Sequence, residues 1–173
     1  MKSFSFEHVF RAPSVAVVFA AYFDPKHAIE QDRELGIVER EILEWEDTPE
    51  QLRRVCRVVP KRQLPALVRP LVNGQLHYVE TAIWRKREDR IECEIRPSIL
   101  AGRATISATY RLSPVSPGLI RRSYEGSVSV DVRLISARIE RGIVAEFERS
   151  MPLAAACTQA FLDRVPSSVQ AHA

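Results

Sequence analysis

Residues 126 to 151, GSVSVDVRLISARIERGIVAEFERSM, change periodicity halfway, and that change limits what the chain can fold into. From Gly126 to Arg133 small or apolar residues alternate with polar ones, as in a strand with one buried face. From Ile139 the apolar residues recur every three or four positions. Ile139, Ile143, Phe147, Met151, Ala154 or Ala155, Thr158, Phe161 or Leu162 and Val165 form one stripe. This spacing predicts a long amphipathic helix, with Arg138, Glu140, Arg141, Glu146, Glu148 and Arg149 away from the stripe. If continuous, it would hold about 30 residues and reach about 45 Å. Pro152 inside it predicts a bend near the Glu148 carbonyl. So long a helix needs a broad apolar surface to cover.

The preceding residues supply a sheet. SFSFEHVF sets Phe4, Phe6, His8 and Phe10 on one face of a strand and Ser3, Ser5, Glu7 and Val9 on the other. Pro13 fits the first turn of a helix, and VAVVFAAYF (15–23) is short and almost wholly apolar. Asp24-Pro25 ends it, because a residue before proline avoids helical dihedrals. A second short helix is predicted over 26–33, closing before Gly36. Strands follow at 37–45 and 52–59, divided by EDTPE, and then at about 75–86, 90–96, 103–112 and 119–133. Short polar turns between them imply an antiparallel meander. LPALVRPLVNG (64–74) fits no regular element and predicts an apolar loop that packs on something or shields an opening.

The inner face predicted for the last four strands includes Cys93, Ala104, Ala108 and Gly126 beside Ile91, Ile106, Tyr110, Tyr124 and Val128. Small residues there either let the helix come close or leave volume unfilled. Gly126 also permits a bend or a bulge.

With 46% hydrophobic and 27% charged residues, the composition is that of a globular protein. The net charge is +3, and the basic residues stand among acids, as where Arg85, Lys86, Arg87 and Arg90 surround Glu88 and Asp89. That argues against a nucleic-acid face, which needs basic residues gathered together. Val15 to Phe23 is too short to span a bilayer and follows no secretory pattern. A cytoplasmic protein without stable membrane insertion is therefore expected. Cys56, Cys93 and Cys157 are far apart among apolar neighbours, which predicts buried reduced thiols. Residues 1–165 are expected to form a single domain, and 166–173 a short frayed tail.

The order of strand, two short helices, six-stranded meander and long C-terminal helix resembles the helix-grip fold of the START-like (SRPBCC) superfamily. That superfamily includes START lipid-transfer domains, Bet v 1-like proteins and polyketide cyclases. FRAPSVAVVFAAYFDPKH is the most telling stretch. RPLVNGQLHYVETAIW, ATISATYRLSP and VSVDVRLISARIERGI are similar to an uncharacterised bacterial domain-of-unknown-function family (DUF2505-like). The resemblance runs from Phe4 to about Val165 and bears on fold more than on chemistry. It implies an α+β helix-grip fold: a curved antiparallel sheet of about seven strands around the C-terminal helix, with two short helices after the first strand. It also implies an elongated apolar cavity between sheet and helix, walled by the inner strand residues and by Phe147, Met151, Ala154 and Ala155, with 64–71 as a lid. The implied partner is a small hydrophobic molecule, and no cofactor is implied. Monomer and dimer both remain open.

Motifs of catalysis are absent from the sequence: it holds no P-loop, Gly-x-Ser-x-Gly elbow, His-Glu-x-x-His or Cys-x-x-Cys pair. His8, on the apolar face of the first strand, can serve as an acid, a base or an orienting donor. His77 alternates with Val79, Thr81 and Ile83, and Tyr78 and Glu80 with Ala82 and Trp84, so the pattern leaves either His77 or the pair Tyr78 and Glu80 able to meet a ligand. Tyr110 and Tyr124 carry hydroxyls able to fix the polar end of an apolar ligand. Glu39, Glu41, Glu44 and Glu46 read as partners of Arg40, Arg53 and Arg57 across a hairpin.

Three functions fit this reading. A non-catalytic carrier of a small hydrophobic, lipid-like or polyketide-like molecule comes first, because the inner faces offer apolar and small residues but no evident reactive group. The alternatives are a cyclase, aromatase or hydratase that moves protons through His8, Tyr78, Glu80, Tyr110 or Tyr124, and a co-chaperone-like interaction module.

Overall fold

A computed structural model describes residues 1–61, 76–98, 102–132 and 135–164. β1 (Lys2–Arg11) leads into α1 (Val15–Phe23) and α2 (Pro25–Leu35). Then come β2 (Ile37–Asp47), β3 (Gln51–Pro60), β4 (Tyr78–Arg85), β5 (Arg90–Pro97), β6 (Ala104–Ser116), β7 (Leu119–Val130) and α3 (Ser136–Leu162). The strands form one seven-stranded antiparallel sheet in the order β1-β7-β6-β5-β4-β3-β2. The sheet curves around α3, as the helix-grip fold requires. The expected lid at 64–71, Arg133, Val165 and the tail at 166–173 lie outside the described residues.

Capping chemistry sets the helix boundaries. Ser14, not Pro13, starts α1, because its side chain accepts from Val17 N at 3.3 Å; Pro13 therefore precedes the first turn. Asp24 closes α1 and opens α2, its carboxylate accepting from Lys26 N at 2.7 Å and His27 N at 3.4 Å. Pro25 takes the first position of α2, and Gly36 ends it in the left-handed conformation, φ 68°. The β6–β7 connection is tighter than the sequence predicts: both strands extend to a turn at Pro117 and Gly118, with a register shift between Pro114 and Ser116.

α3 runs unbroken for 27 residues through Pro152, about 40 Å. Its covered face includes Ile139, Val144, Ala154, Ala155, Thr158 and Leu162, with Ile143, Phe147 and Met151 partly buried. Glu140 departs from the expected solvent face. It is buried, and its Oε1 accepts from Val130 N at 3.0 Å, tying the first turn of the helix to the end of β7.

On the concave face the register aligns side chains in transverse rows. One row reads Arg54, Ala82, Cys93, Ala108, Gly126 and Phe4 across β3, β4, β5, β6, β7 and β1. The next reads Leu52, Trp84, Ile91, Tyr110, Tyr124 and Phe6. A trough of four small residues thus crosses the sheet between an arginine and a phenylalanine, and a band of large rings lies beside it.

Candidate functional site

The concave face under α1 and α3 is the candidate site. Aromatic rings pave it from β1 to β2. Phe4 lies 5.6 Å from Tyr124 and 5.0 Å from Phe147 of α3, and Tyr124 lies 6.4 Å from Tyr110. Tyr22 of α1 sits 5.3 Å from Tyr110, while Phe19 stacks on Trp84 at 4.9 Å. Phe23 bridges Trp84 at 5.9 Å and Trp45 at 6.2 Å. Two of these rings also close the trough. Tyr22 OH reaches Cys93 Sγ at 3.9 Å, and a Cβ built on Gly126 would lie 2.7 Å from Phe4 Cζ.

Gly126 therefore serves close approach. The pairing of β7 with both neighbours runs through it without a shift, so it forms no bulge. Cys93, Ala108 and Gly126 also border a groove of about 920 Å³ on the outer face, beside the polar side chains Ser3, Thr81, Glu94, Ser107 and Ser127.

Pairing settles the ambiguous face of β4. Ala82 stands opposite buried Cys93, so Tyr78, Glu80 and Trp84 share its concave side, and His77 precedes the strand. Glu80 Oε1 lies 3.5 Å from Arg40 Nη1 and 3.5 Å from Arg54 Nη2. Arg40 also grips Asp32 of α2 through Nε and Nη2 at 2.8–3.1 Å. It is thus not a partner of the hairpin glutamates, as the sequence suggested. Glu44 and Glu39 pair with Arg53 and Arg57 on the outer face as expected. Burial works against the charge on Arg40, but the bonds to Asp32 and the nearby carboxylates prevail and hold its pKa above the usual arginine value. Arg54 covers the rings of Phe23 and Tyr22 at 5.0 and 5.3 Å.

His8 stands at the other side of the face. Its Nδ1 accepts from Arg122 Nη2 at 2.6 Å, and the guanidinium lies over Phe10 and Tyr110. Burial first, and the Arg122 charge second, lower the imidazole pKa. Burial pushes the Tyr110 hydroxyl up to about 12 and the Cys93 thiol up to about 12; it also drives Tyr22, Tyr78 and Tyr124 above the ordinary tyrosine value.

The structure thus brings Cys93, Ala108, Tyr110, Tyr124, Gly126 and Phe147 together, with Tyr78 and Glu80 on the β4 side and His8 on the β1 side. Met151 and Ala155 belong to the α3 face that packs on the core. Sequence reasoning missed Arg54, Arg122, Tyr22 and Trp84. A signal for the arginines exists: Arg53-Arg54 and Arg121-Arg122 are adjacent pairs within strands, and period-two alternation sends one of each pair inward. All three cysteines are buried and unpaired. Among the described residues no group of His, Cys, Asp and Glu is placed to hold a metal ion, and no helix is long and apolar enough to cross a membrane.

The sequence model of a family described as "Protein of unknown function (DUF2505)" matches residues 5–162. The chain belongs to this family. No curated protein matches this DUF2505 member in sequence. Its fold is shared with solved structures of low identity. The Zhui aromatase/cyclase from Streptomyces sp. R1128 is 10% identical, with a TM-score of 0.64 over 94% of each chain. A START superfamily protein from Mycobacterium smegmatis is 9% identical, with a TM-score of 0.58 over 95% of this chain and 99% of that one. Ara h 8.0201 is 13% identical, with a TM-score of 0.58 over 92% of this chain and 98% of that one. The DUF2505 chain is thus a START-like protein in fold.

Proposed function

We propose that the chain binds a small, mainly apolar molecule between the sheet and α3 and holds it without transforming it. The observation that carries this reading is a set of donors on the concave face. Arg54 Nε, Arg122 Nε and Trp84 Nε1 are buried without a hydrogen-bond partner among the described residues. A buried polar group left unsatisfied costs about 1–3 kcal/mol, which a core built for stability alone would avoid. Donors set among rings suit a ligand with an apolar body and an acceptor at its end. The small row from Ala82 to Gly126 supports the same reading, because Tyr22 and Phe4, which close it, are side chains able to turn aside.

The titratable groups favour holding over turnover. The four tyrosines and Cys93 keep their protons at neutral pH, because burial raises every one of them. They are donors and not bases. His8 and Glu80 are four strand spacings apart in the sheet, about 19 Å along it, too far to serve as acid and base on one atom.

Native mass spectrometry of freshly purified protein, followed by extraction of any bound small molecule, tests the proposal. A stoichiometric hydrophobic adduct that is lost in Ala108→Leu supports it. An unmodified mass that persists after exposure to a panel of lipids and aromatic compounds overturns it. A second reading, an interaction module, draws on Val38, Ile42, Leu43 and Trp45 of the edge strand β2, which are 62%, 55%, 48% and 47% exposed.

A further inference from the structure

We propose that Arg122 and His8 form a subsite for an organic carboxylate, the anionic end of the ligand held on the concave face. The inference rests on the ligand-binding reading above and adds the chemistry of the ligand's polar end.

Among the described residues two buried arginines face inward, Arg54 and Arg122, and they are compensated differently. Arg54 lies beside Glu80, which Arg40 and Asp32 extend into a balanced cluster of two cations and two carboxylates. Arg122, 4% exposed, has only neutral partners: His8 Nδ1, the Tyr110 hydroxyl and the faces of Phe10 and Tyr110 at 5.1 and 5.7 Å. No carboxylate pairs with it among the described residues, and its Nε has no partner. Taking a guanidinium out of water is costly, and neutral acceptors and rings offset only part of that cost. An anion at Nε completes the site.

The donor set selects the anion. A guanidinium presents Nε–H and an Nη–H side by side, which matches the two oxygens of a carboxylate. His8 accepts from Arg122 at Nδ1 and is neutral, so its proton sits on Nε2 as a further donor near the rim. One cation balances a monoanion, whereas a phosphate dianion would need a second.

The subsite lies at the β1 side of the sheet. β1 is an edge strand, His8 is only partly buried, and α3 runs alongside. Phe147 touches Phe4, and Gln159 accepts from Arg11 N at 2.8 Å, so the helix residues level with His8 fall between these two anchors. Ala154 and Ala155, both buried, lie in that interval between Met151 and Thr158.

Titration calorimetry at pH 7.5 with matched probes tests the proposal: 2-naphthoate against 2-naphthamide, and decanoate against decanamide. Each carboxylate is expected to bind about tenfold or more tightly than its neutral amide. Arg122→Met is expected to abolish the preference, so that each acid binds no more tightly than its amide. Equal affinity for acid and amide in the parent overturns the subsite while leaving ligand binding intact. So does a preference that survives in Arg122→Met. If no probe binds and nothing co-purifies, both readings fall. Should Arg122→Met fail to fold, Arg122→Lys decides, because it keeps the charge but loses the side-by-side donors. It must weaken the carboxylates by about tenfold and spare the amides; unchanged carboxylate binding in that variant overturns the proposal.

Discussion

The ring of Phe4 lies over Gly126, on the neighbouring strand, so closely that a Cβ there would stand 2.7 Å from Phe4 Cζ and 2.3 Å from the Ser107 carbonyl oxygen. The ring can turn aside, but the backbone oxygen cannot move without disturbing the β6–β7 pairing. Gly126→Ala is therefore expected to cost about 2 kcal/mol, as overpacking in a core does. That corresponds to a Tm lower by roughly 4–8 °C in a chain of this size. In a double-mutant cycle, Phe4→Leu should recover part of the loss, the share due to the ring. A Gly126→Ala protein with parental Tm would mean that the Ser107 carbonyl oxygen does not stand this close to Gly126.

Glu80 is the counter-ion of two inward guanidiniums, and its removal leaves Arg54, with a 7% exposed side chain, uncompensated. Glu80→Ala is expected to lower unfolding free energy by about 3 kcal/mol in urea denaturation, the scale for breaking a buried pair. Arg96→Ala, which breaks an exposed pair with Glu94, should change stability by no more than about 0.5 kcal/mol. Equal effects of the two substitutions would refute the assignment of Glu80 to the concave face.

His27 supplies a pH signature. It is buried, its Nε2 lies 3.1 Å from Thr158 Oγ1, and Phe161 packs edge-on against it. Burial lowers its pKa below 6.5 and outweighs the carboxylates of Glu30 and Asp24, which act in the opposite direction, while Arg54 reinforces burial. Well above pH 6.5 the imidazole is neutral in both states, and its contribution is constant. Below it the unfolded chain takes up a proton that the folded chain refuses, so stability falls as pH falls from about 7 towards 5. His8, also lowered, acts in the same direction. His27→Gln should flatten this slope in denaturation curves recorded across that range; an unaltered slope would place the proton uptake elsewhere.

The fold was readable because its signals are local. Alternation in SFSFEHVF and in the strand after Leu119 marked the buried faces, and the Ile139 to Leu162 stripe marked the helix. The site was less readable because its polar members break those signals. In β4 both alternating sets mix apolar and polar residues, and only the pairing of Ala82 with Cys93 turns Glu80 inward. Arg54 and Arg122 look like surface charges until neighbouring strands and α1 enclose them, and Glu140 looks solvent-facing until it meets the end of β7. Enclosure by distant elements does not appear in a local pattern.

Pro152 sits on the exposed side of α3, between the anchors at Phe147 and Gln159. It has no N–H, so the Glu148 carbonyl lacks its bond within the helix, and the ring crowds that carbonyl. In an isolated helix, proline is about 3 kcal/mol worse than alanine. α3 continues as one helix through Pro152, and proline offsets about 0.5–1 kcal/mol of this cost by restricting the unfolded chain. Pro152→Ala is therefore expected to stabilise by about 2 kcal/mol, raising Tm by roughly 4–8 °C. If Tm falls instead, proline at this position is what fits α3 to the curved sheet at the level of His8. Carboxylate binding at Arg122 should then weaken in the same variant.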